Sequence, residues 1–390
     1  MDRRRFLINI SLSSAALMTS QSILHRLLAG DDLTRQDFYV GTFGTGQNGG
    51  IYFCRLNTST GEIILRGEIK GIDNPAFLAI DASNRFLFAV NEVSETNGNP
   101  GGSVSSFAID PENGRLSFIN MQPTLGESPC HISIDNTGKF LLITNYSGGN
   151  IIVFPIIEGG TIGKNVDFIQ HKGHSINSDR QGSPHPHSII LSPDNRYVFV
   201  PDLGLDKILI YKLDQETGKL SPNNIPYISL KPGAGPRHFT FHPDNDFAYV
   251  INELDSAVTA FRYKSDKGKL KEIQTITTLP ENFTGINYCA DIHVHPNGKY
   301  LYGSNRGHNS IAGFIIDPPS KGRLKLKGFT STQGDFPRNF GIDPSGQYLL
   351  VANQRSNNIF SFRINMETGE LSPTGHSIEI PQPVCIKFLN

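Results

Sequence analysis

The chain has 390 residues and a formal net charge of −1, with 35 Lys and Arg against 36 Asp and Glu, and no basic stripe along it. That balance excludes a nucleic-acid partner recruited by charge. The four cysteines (Cys54, Cys130, Cys289, Cys385) form no C-x-x-C pair, which excludes a zinc ribbon or a dithiol redox motif and leaves them as buried free thiols.

The first segment, "MDRRRFLINISLSSAALMTSQSI", sets Arg3, Arg4 and Arg5 before Phe6-Leu7 and a short apolar run. A positive start and a short apolar stretch read as an export signal rather than a membrane span, and the R-R-x-F-L order is that of a twin-arginine address. A plain basic tail is the alternative. Residues 1–35 are thus set apart from a single domain over 36–390, and no later stretch is apolar enough to span a bilayer.

From there on the chain repeats itself. "NPAFLAIDASNRFLFAVNE" from Asn74 aligns with "SPCHISIDNTGKFLLITNY", "HPHSIILSPDNRYVFVPDL", "GPRHFTFHPDNDFAYVINE", "YCADIHVHPNGKYLYGSNR" and "FPRNFGIDPSGQYLLVANQ". The last copy, "QPVCIKFLN", stops after one strand. A second series of polar turns centres on Gly61, Gly114, Gly160, Gly218, Gly268, Gly322 and Gly369, where glycine admits the positive φ that closes a hairpin. Seven units about 50 residues long, each with four short β runs, predict an all-β, seven-bladed β-propeller of four-stranded antiparallel blades. The start of the domain, "DFYVGTF", resembles the second strand of a unit, so the C-terminal strand is predicted to complete the first blade and close the ring.

Within each unit the first two strands form a hairpin, so the start of the first and the end of the second share one face of the disc. The longer loops 91–103, 170–186 and 279–290 lie on that face, where chemistry is expected. The strand starts supply Cys130-His131, His187-Ser188, Arg237-His238, Ala290-Asp291 and Arg338-Asn339. The strand ends supply Asn91-Glu92, Asn145-Tyr146, Asp202-Leu203, Asn252-Glu253, Asn305-Arg306 and Asn353-Gln354. The predicted catalytic set is Glu253, His187, His185, Arg237 and Arg306. His131, His238, Asp202, Asn305, Arg338, Asn339 and Gln354 are the predicted substrate-binding set.

The arginines offer planar forks for a carboxylate or phosphate. Glu253, near the rim and partly desolvated, is expected to have a raised pKa and to trade protons, as are His185 and His187. Several of these residues also admit plain structural readings. The recurring Asn at the strand ends suits turns, His131 and His238 suit a packed core, and Arg237 with Glu253 suits a simple bridge. His242 and His295 precede prolines in the opposite-face turns and read as structural. His185 and His187 at i, i+2 would share one side of a strand, which is thin support for a metal, and no cofactor signature is present.

At these residues the chain resembles the seven-bladed lactonase family, which includes propeller-type 6-phosphogluconolactonases and carboxy-cis,cis-muconate cyclases. The resemblance rests on "PHPHSIILSPDNRYVFVPDLGLDKI", "GAGPRHFTFHPDNDFAYVINEL", "IHVHPNGKYLYGSNRGHNSI" and "FPRNFGIDPSGQYLLVANQRSNNI". It implies hydrolysis of a small, sugar-type lactone without metal or other cofactor, with a histidine of "PHPH", Arg237, Glu253 and Arg306 at the active site. A muconate-type cycloisomerase, or a non-catalytic propeller that binds a ligand or protein, are the alternatives. The implied partner is a small-molecule lactone, the implied state a monomer or weak dimer. The export signal argues for a periplasmic location and against a phosphorylated substrate; a cytoplasmic location follows if the signal does not function.

Overall fold

The computed structural model describes residues 34–96, 98–317 and 321–389; of the predicted leading segment 1–35, residues 1–33 lie outside them, while Arg35 already opens the first strand. Seven antiparallel sheets surround one axis. Blade 1 pairs Ile63–Lys70, Gly50–Asn57 and Arg35–Thr42 with the C-terminal strand Pro383–Phe388, in the register Phe38↔Phe388 to Gly41↔Cys385. The two ends of the chain thus close the ring as predicted. Cys385 is fully buried, and its Sγ accepts the backbone N–H of Leu78 from blade 2 at 3.4 Å.

Blades 2, 3, 5, 6 and 7 begin at the axis with Pro75–Ile80, Pro129–Ile134, Pro236–Phe241, Tyr288–Val294 and Pro337–Ile342. Blade 4 departs from the pattern. Its inner strand is only Ile190–Leu191, with an isolated bridge from Pro186 to Asp202. Blade 3 carries an additional short strand, Thr161–Ile162, and a small ribbon pairs Glu95–Thr96 with Asn99–Pro100.

The repeated turn glycines turn out to be contacts between blades as well as hairpin closers. All seven have positive φ, from 57° at Gly268 to 84° at Gly61. Each also lies against an aromatic ring of the preceding blade: Gly114 on Phe53, Gly160 on Phe86, Gly218 on Phe140, and so on round to Gly61 on Tyr348. A methyl group at Gly268 would overlap the Tyr197 ring, so glycine is required there twice over. Hydroxyls from the preceding blade cap several of the same turns, as Tyr39 does by donating to the Gly114 carbonyl at 2.7 Å and Tyr302 to that of Gly369 at 2.8 Å. On this turn face His242 and His295 bond the carbonyls of Gly298 and Gly346 in the next blade, each at 2.8 Å, which makes both structural.

Ring closure predicts a cooperative cost at the C-terminus. Removal of residues 382–390 exposes the inner edge of Arg35–Thr42 and uncovers Phe38, Val40 and Leu78, which are fully buried in the intact protein. The truncated protein should be recovered mainly as aggregate, whereas deletion of Asn390 alone should leave soluble yield and melting temperature unchanged.

Candidate active site

The face opposite the turns gathers the charged residues, and a local irregularity aims them. Between Pro236 and His238 the strand pairing slips by one residue, and the same slip recurs at Pro75/Phe77, Pro129/His131 and Pro337/Asn339. The extra residue in each slip is Arg237, Ala76, Cys130 or Arg338. Such a bulge re-aims a side chain out of the regular alternation. Arg237 therefore reaches the mouth of the channel while His238 beside it faces the axis.

Glu253 is the centre of the site. Its Oε2 accepts from Arg237 Nε at 2.9 Å and from Arg306 Nη2 at 2.6 Å, and its Oε1 accepts from Arg180 Nη2. Arg237 and Arg306 therefore stand on the same side of the disc, in contact with one oxygen atom. Glu253, Arg237 and Arg306 are buried, whereas a third of the Arg180 side chain is exposed and covers them from the loop side. Arg180 comes from loop 170–186, which was singled out in the sequence although the residue itself was not. No repeat alignment points to it, because loops of unequal length have no register between blades.

The local chain explains the motif around Glu253. Gly235 has φ of 63°, and its carbonyl accepts the Glu253 N–H at 2.7 Å. Asp206, from "PDLGLD", in turn accepts the N–H groups of Gly233 and Gly235 at 2.6 and 2.7 Å. Gly204 in the same motif approaches the Ser183 carbonyl too closely for any side chain. The glycines of these motifs and the aspartate therefore hold the backbone that carries Arg237 and Glu253.

The expectation of a raised pKa at Glu253 is reversed. Burial pushes the carboxyl up, but the guanidiniums of Arg306, Arg237 and Arg180 outweigh it and hold it at about 2. Arg237 is pushed down to about 9 by burial and by Arg306 and Arg338, and stays protonated at neutral pH. Glu253 is thus a fixed anion that binds three cations together.

The imidazoles form a second cluster below. His238 packs edge-to-face with His131 and His187, with ring centroids 5.6 and 5.5 Å apart. Burial first, and neighbouring charges next, hold His131 and His187 well below their ordinary range, and His238 falls to about 4. All three are neutral at pH 7. Asp291 organises this layer, with Oδ1 2.7 Å from His238 Nδ1 and Oδ2 accepting from Asn339 Nδ2 at 2.6 Å.

Several predicted residues have other duties. Neither His185 nor His187 lies in a strand, because blade 4 is irregular there, so the expected i, i+2 alternation does not apply. Both rings pack on Tyr146, with centroids 4.5 and 5.1 Å away, and His187 Nδ1 also lies 3.7 Å from Cys130 Sγ. Asp202 is fully buried, with Oδ2 2.7 Å from His171 Nδ1 and Oδ1 accepting the His185 N–H at 2.7 Å, so it positions the His185 backbone. Asn305 is also fully buried, donating to the Thr278 carbonyl at 2.8 Å and accepting from Thr278 Oγ1 at 2.8 Å. Asn91, Asn145 and Asn353 make the same bond to the strand-linking segment before them, which replaces the expected turn role with a tie between segments. Asn339 likewise is committed to Asp291 and to the Ile386 N–H at 2.7 Å. Gln354 Oε1 is buried without a hydrogen-bond partner among the described residues.

Arg338 behaves differently. Its guanidinium is 3.9 Å from Glu92 Oε1 and donates no hydrogen bond to a described residue. A separate cavity of about 660 Å³ on the turn face, lined by His242, Phe247, Gly298 and Tyr300, holds none of these groups.

Comparison with known proteins places these observations. The family model described as "Lactonase, 7-bladed beta-propeller" matches residues 37–388. A 6-phosphogluconolactonase of Bacillus subtilis is 36 % identical, over 92 % of this chain and 99 % of its own. One from Formosa agariphila is 41 % identical, over 89 % and 96 %. Among solved structures, a periplasmic gluconolactonase of Pseudomonas aeruginosa superposes with a TM-score of 0.86 at 32 % identity, covering 91 % of this chain and 99 % of that one.

Replacing Glu253 by Gln removes the anion from between buried guanidiniums and should destabilise the protein by about 3 kcal/mol at pH 7. The sign with pH follows from the depressed carboxyl. The unfolded state takes up the proton near 4.5 and the folded state only near 2, so this stabilisation is present above 4.5 and lost as pH falls through that window. Denaturant midpoints between pH 7 and 3 should converge for wild type and Glu253→Gln.

Proposed function

Because the chain belongs to the seven-bladed β-propeller lactonase family and is a lactone hydrolase, we propose that it opens a small sugar-type lactone at the mouth of its axial channel. The observation that carries this reading is an excess of cation at one place. Four guanidiniums (Arg180, Arg237, Arg306, Arg338) face three carboxylates, Glu253 and Glu92 at the mouth and Asp291 beneath. An uncompensated positive field in a largely desolvated mouth suits a transition state that develops negative charge on the carbonyl oxygen.

In the reaction, water adds to the lactone carbonyl carbon, the ring C–O bond breaks, and the ring oxygen leaves as a hydroxyl. Arg237 and Arg306, held rigid by Glu253, stabilise the oxyanion at no cost in reorganisation. Arg338, whose fork donates no hydrogen bond to a described residue, takes an acidic or oxygen-rich substituent of the substrate. Glu253 serves as a positioning residue, because a carboxylate held at about 2 is a poor base at neutral pH.

The purified protein should hydrolyse members of a panel of δ- and γ-sugar lactones, followed by proton release, at a rate unchanged by EDTA. Failure to open any lactone of the panel would sink the proposal. Arg338→Ala should raise KM at least tenfold for lactones bearing a carboxylate or phosphate and much less for neutral ones.

We further propose that residues 1–35 direct export, so that the natural substrate is an unphosphorylated lactone. Arg3, Arg4 and Arg5 before Phe6-Leu7 support this, as does similarity to a protein described as a periplasmic gluconolactonase. Fused to a folded reporter, residues 1–35 should carry it out of the cytoplasm, and the double substitution Arg3→Lys, Arg4→Lys should hold it inside.

A further inference from the structure

We propose that Glu92 is the carboxyl group that moves the proton during ring opening, and that it works against the arginine-bound Glu253 as a second, chemically opposite carboxyl at the same mouth. This inference rests on the lactonase reading of the site. Glu92 follows the second strand of blade 2, Phe86–Asn91, at the height at which Glu253 follows the second strand of blade 5, Phe247–Asn252. The repeat therefore places both carboxyls on the same face.

The backbone of Glu92 is fixed from two sides. Its N–H donates to the Asn74 carbonyl at 2.9 Å, and its own carbonyl accepts from Asn74 Nδ2 at 2.9 Å. Asn74 has φ of 40°, a conformation that Asn tolerates better than most residues, so a specific local structure serves this clamp.

The carboxyl itself is unspent. Arg338 Nη2 stands 3.9 Å away, beyond hydrogen-bond reach, and no described residue donates to either oxygen. The side chain is 12 % exposed, so it is largely desolvated yet open to the mouth. All of the bonds that Glu253 makes, Glu92 lacks.

The charged and titratable groups that face Glu92 are Arg338 from blade 7, Arg237 from blade 5 and Cys130 from blade 3. Burial pushes the Glu92 carboxyl up, and Arg338 and Arg237 pull it down by less, so it lies above its ordinary value. The thiol of Cys130 is pushed up to about 12 by burial and is therefore neutral. Two carboxyls whose surroundings drive them in opposite directions are the pattern by which acid–base roles divide.

The step balances. The Glu92 carboxylate takes a proton from water as the water oxygen bonds to the lactone carbonyl carbon, and the oxyanion forms beside Arg237 and Arg306. As the tetrahedral intermediate collapses, the ring C–O bond breaks and the Glu92 carboxylic acid returns the proton to the departing ring oxygen. Lactone and water give the hydroxy acid, and Glu92 ends as it began.

The experiment uses the full-length enzyme, a lactone that the wild type hydrolyses, and pH–rate profiles for wild type, Glu92→Gln and Glu92→Asp. Wild-type kcat should decline toward acid along a limb centred above the ordinary carboxyl value of 4.5. Glu92→Gln should lower kcat about 100-fold or more, leave KM within about threefold and abolish that limb. Glu92→Asp should retain part of the rate and keep a limb at a shifted position, which tests the proposal even if the Gln variant folds poorly. A Glu92→Gln enzyme with more than a tenth of wild-type kcat, or an acid limb unmoved in either variant, assigns the proton to another group such as His187 and overturns the inference. Absence of any wild-type lactone hydrolysis would instead remove the underlying reading of the site.

Discussion

Everything at the channel mouth depends on the pairing of Arg35–Thr42 with Pro383–Phe388. Catalytic side chains on separate blades can meet only if the blades form a closed ring, because an open stack of twisted sheets would splay its inner strands. Here Glu253 and Arg237 lie on blade 5, Arg306 on blade 6, Arg338 on blade 7 and Glu92 on blade 2. Blade 1 lies between the last two. Without the C-terminal strand Arg338 and Glu92 would flank a gap, and the cationic mouth would lose one wall.

Closure in turn permits a buried charge cluster that would be unfavourable in isolation. Taking Glu253, Arg237 and Arg306 out of water costs several kcal/mol per ion, and only good geometry and further hydrogen bonds offset it. Both are present. Arg237 Nη1 donates to the Ala290 carbonyl at 2.5 Å, and Arg306 Nη2 donates to the Cys289 carbonyl at 2.9 Å, so each guanidinium is tied to the neighbouring strand as well as to Glu253. The arginines are rigid before any substrate arrives, which is the condition for electrostatic stabilisation of a transition state. The histidine rings beneath are neutral, and the ionised Asp291 that organises them is a buried anion below the arginines.

How far the sequence could be read varied with the kind of feature. Turn glycines and apolar strand cores recur in every unit because each blade solves the same packing problem, so their signal is amplified sevenfold. Arg237, Arg306 and Glu253 were legible as departures from that consensus at equivalent positions. Arg180 was not, because it arrives on an irregular loop. Asp202 and Asn305 looked like rim residues by position, yet their side chains turn back into the protein to satisfy His171, the His185 backbone and Thr278.

Blade number, strand order, ring closure through the two termini and the face that carries the charged residues are all properties of a periodic pattern, and the sequence by itself determined them. Only the tertiary structure decided the protonation of the site. A carboxyl's pKa depends on burial and on distances to charges from other blades, and no spacing along the chain encodes those. Glu92 and Glu253 end equivalent strands with the same Asn-Glu pair, yet one meets three guanidiniums at hydrogen-bond distance and the other meets none.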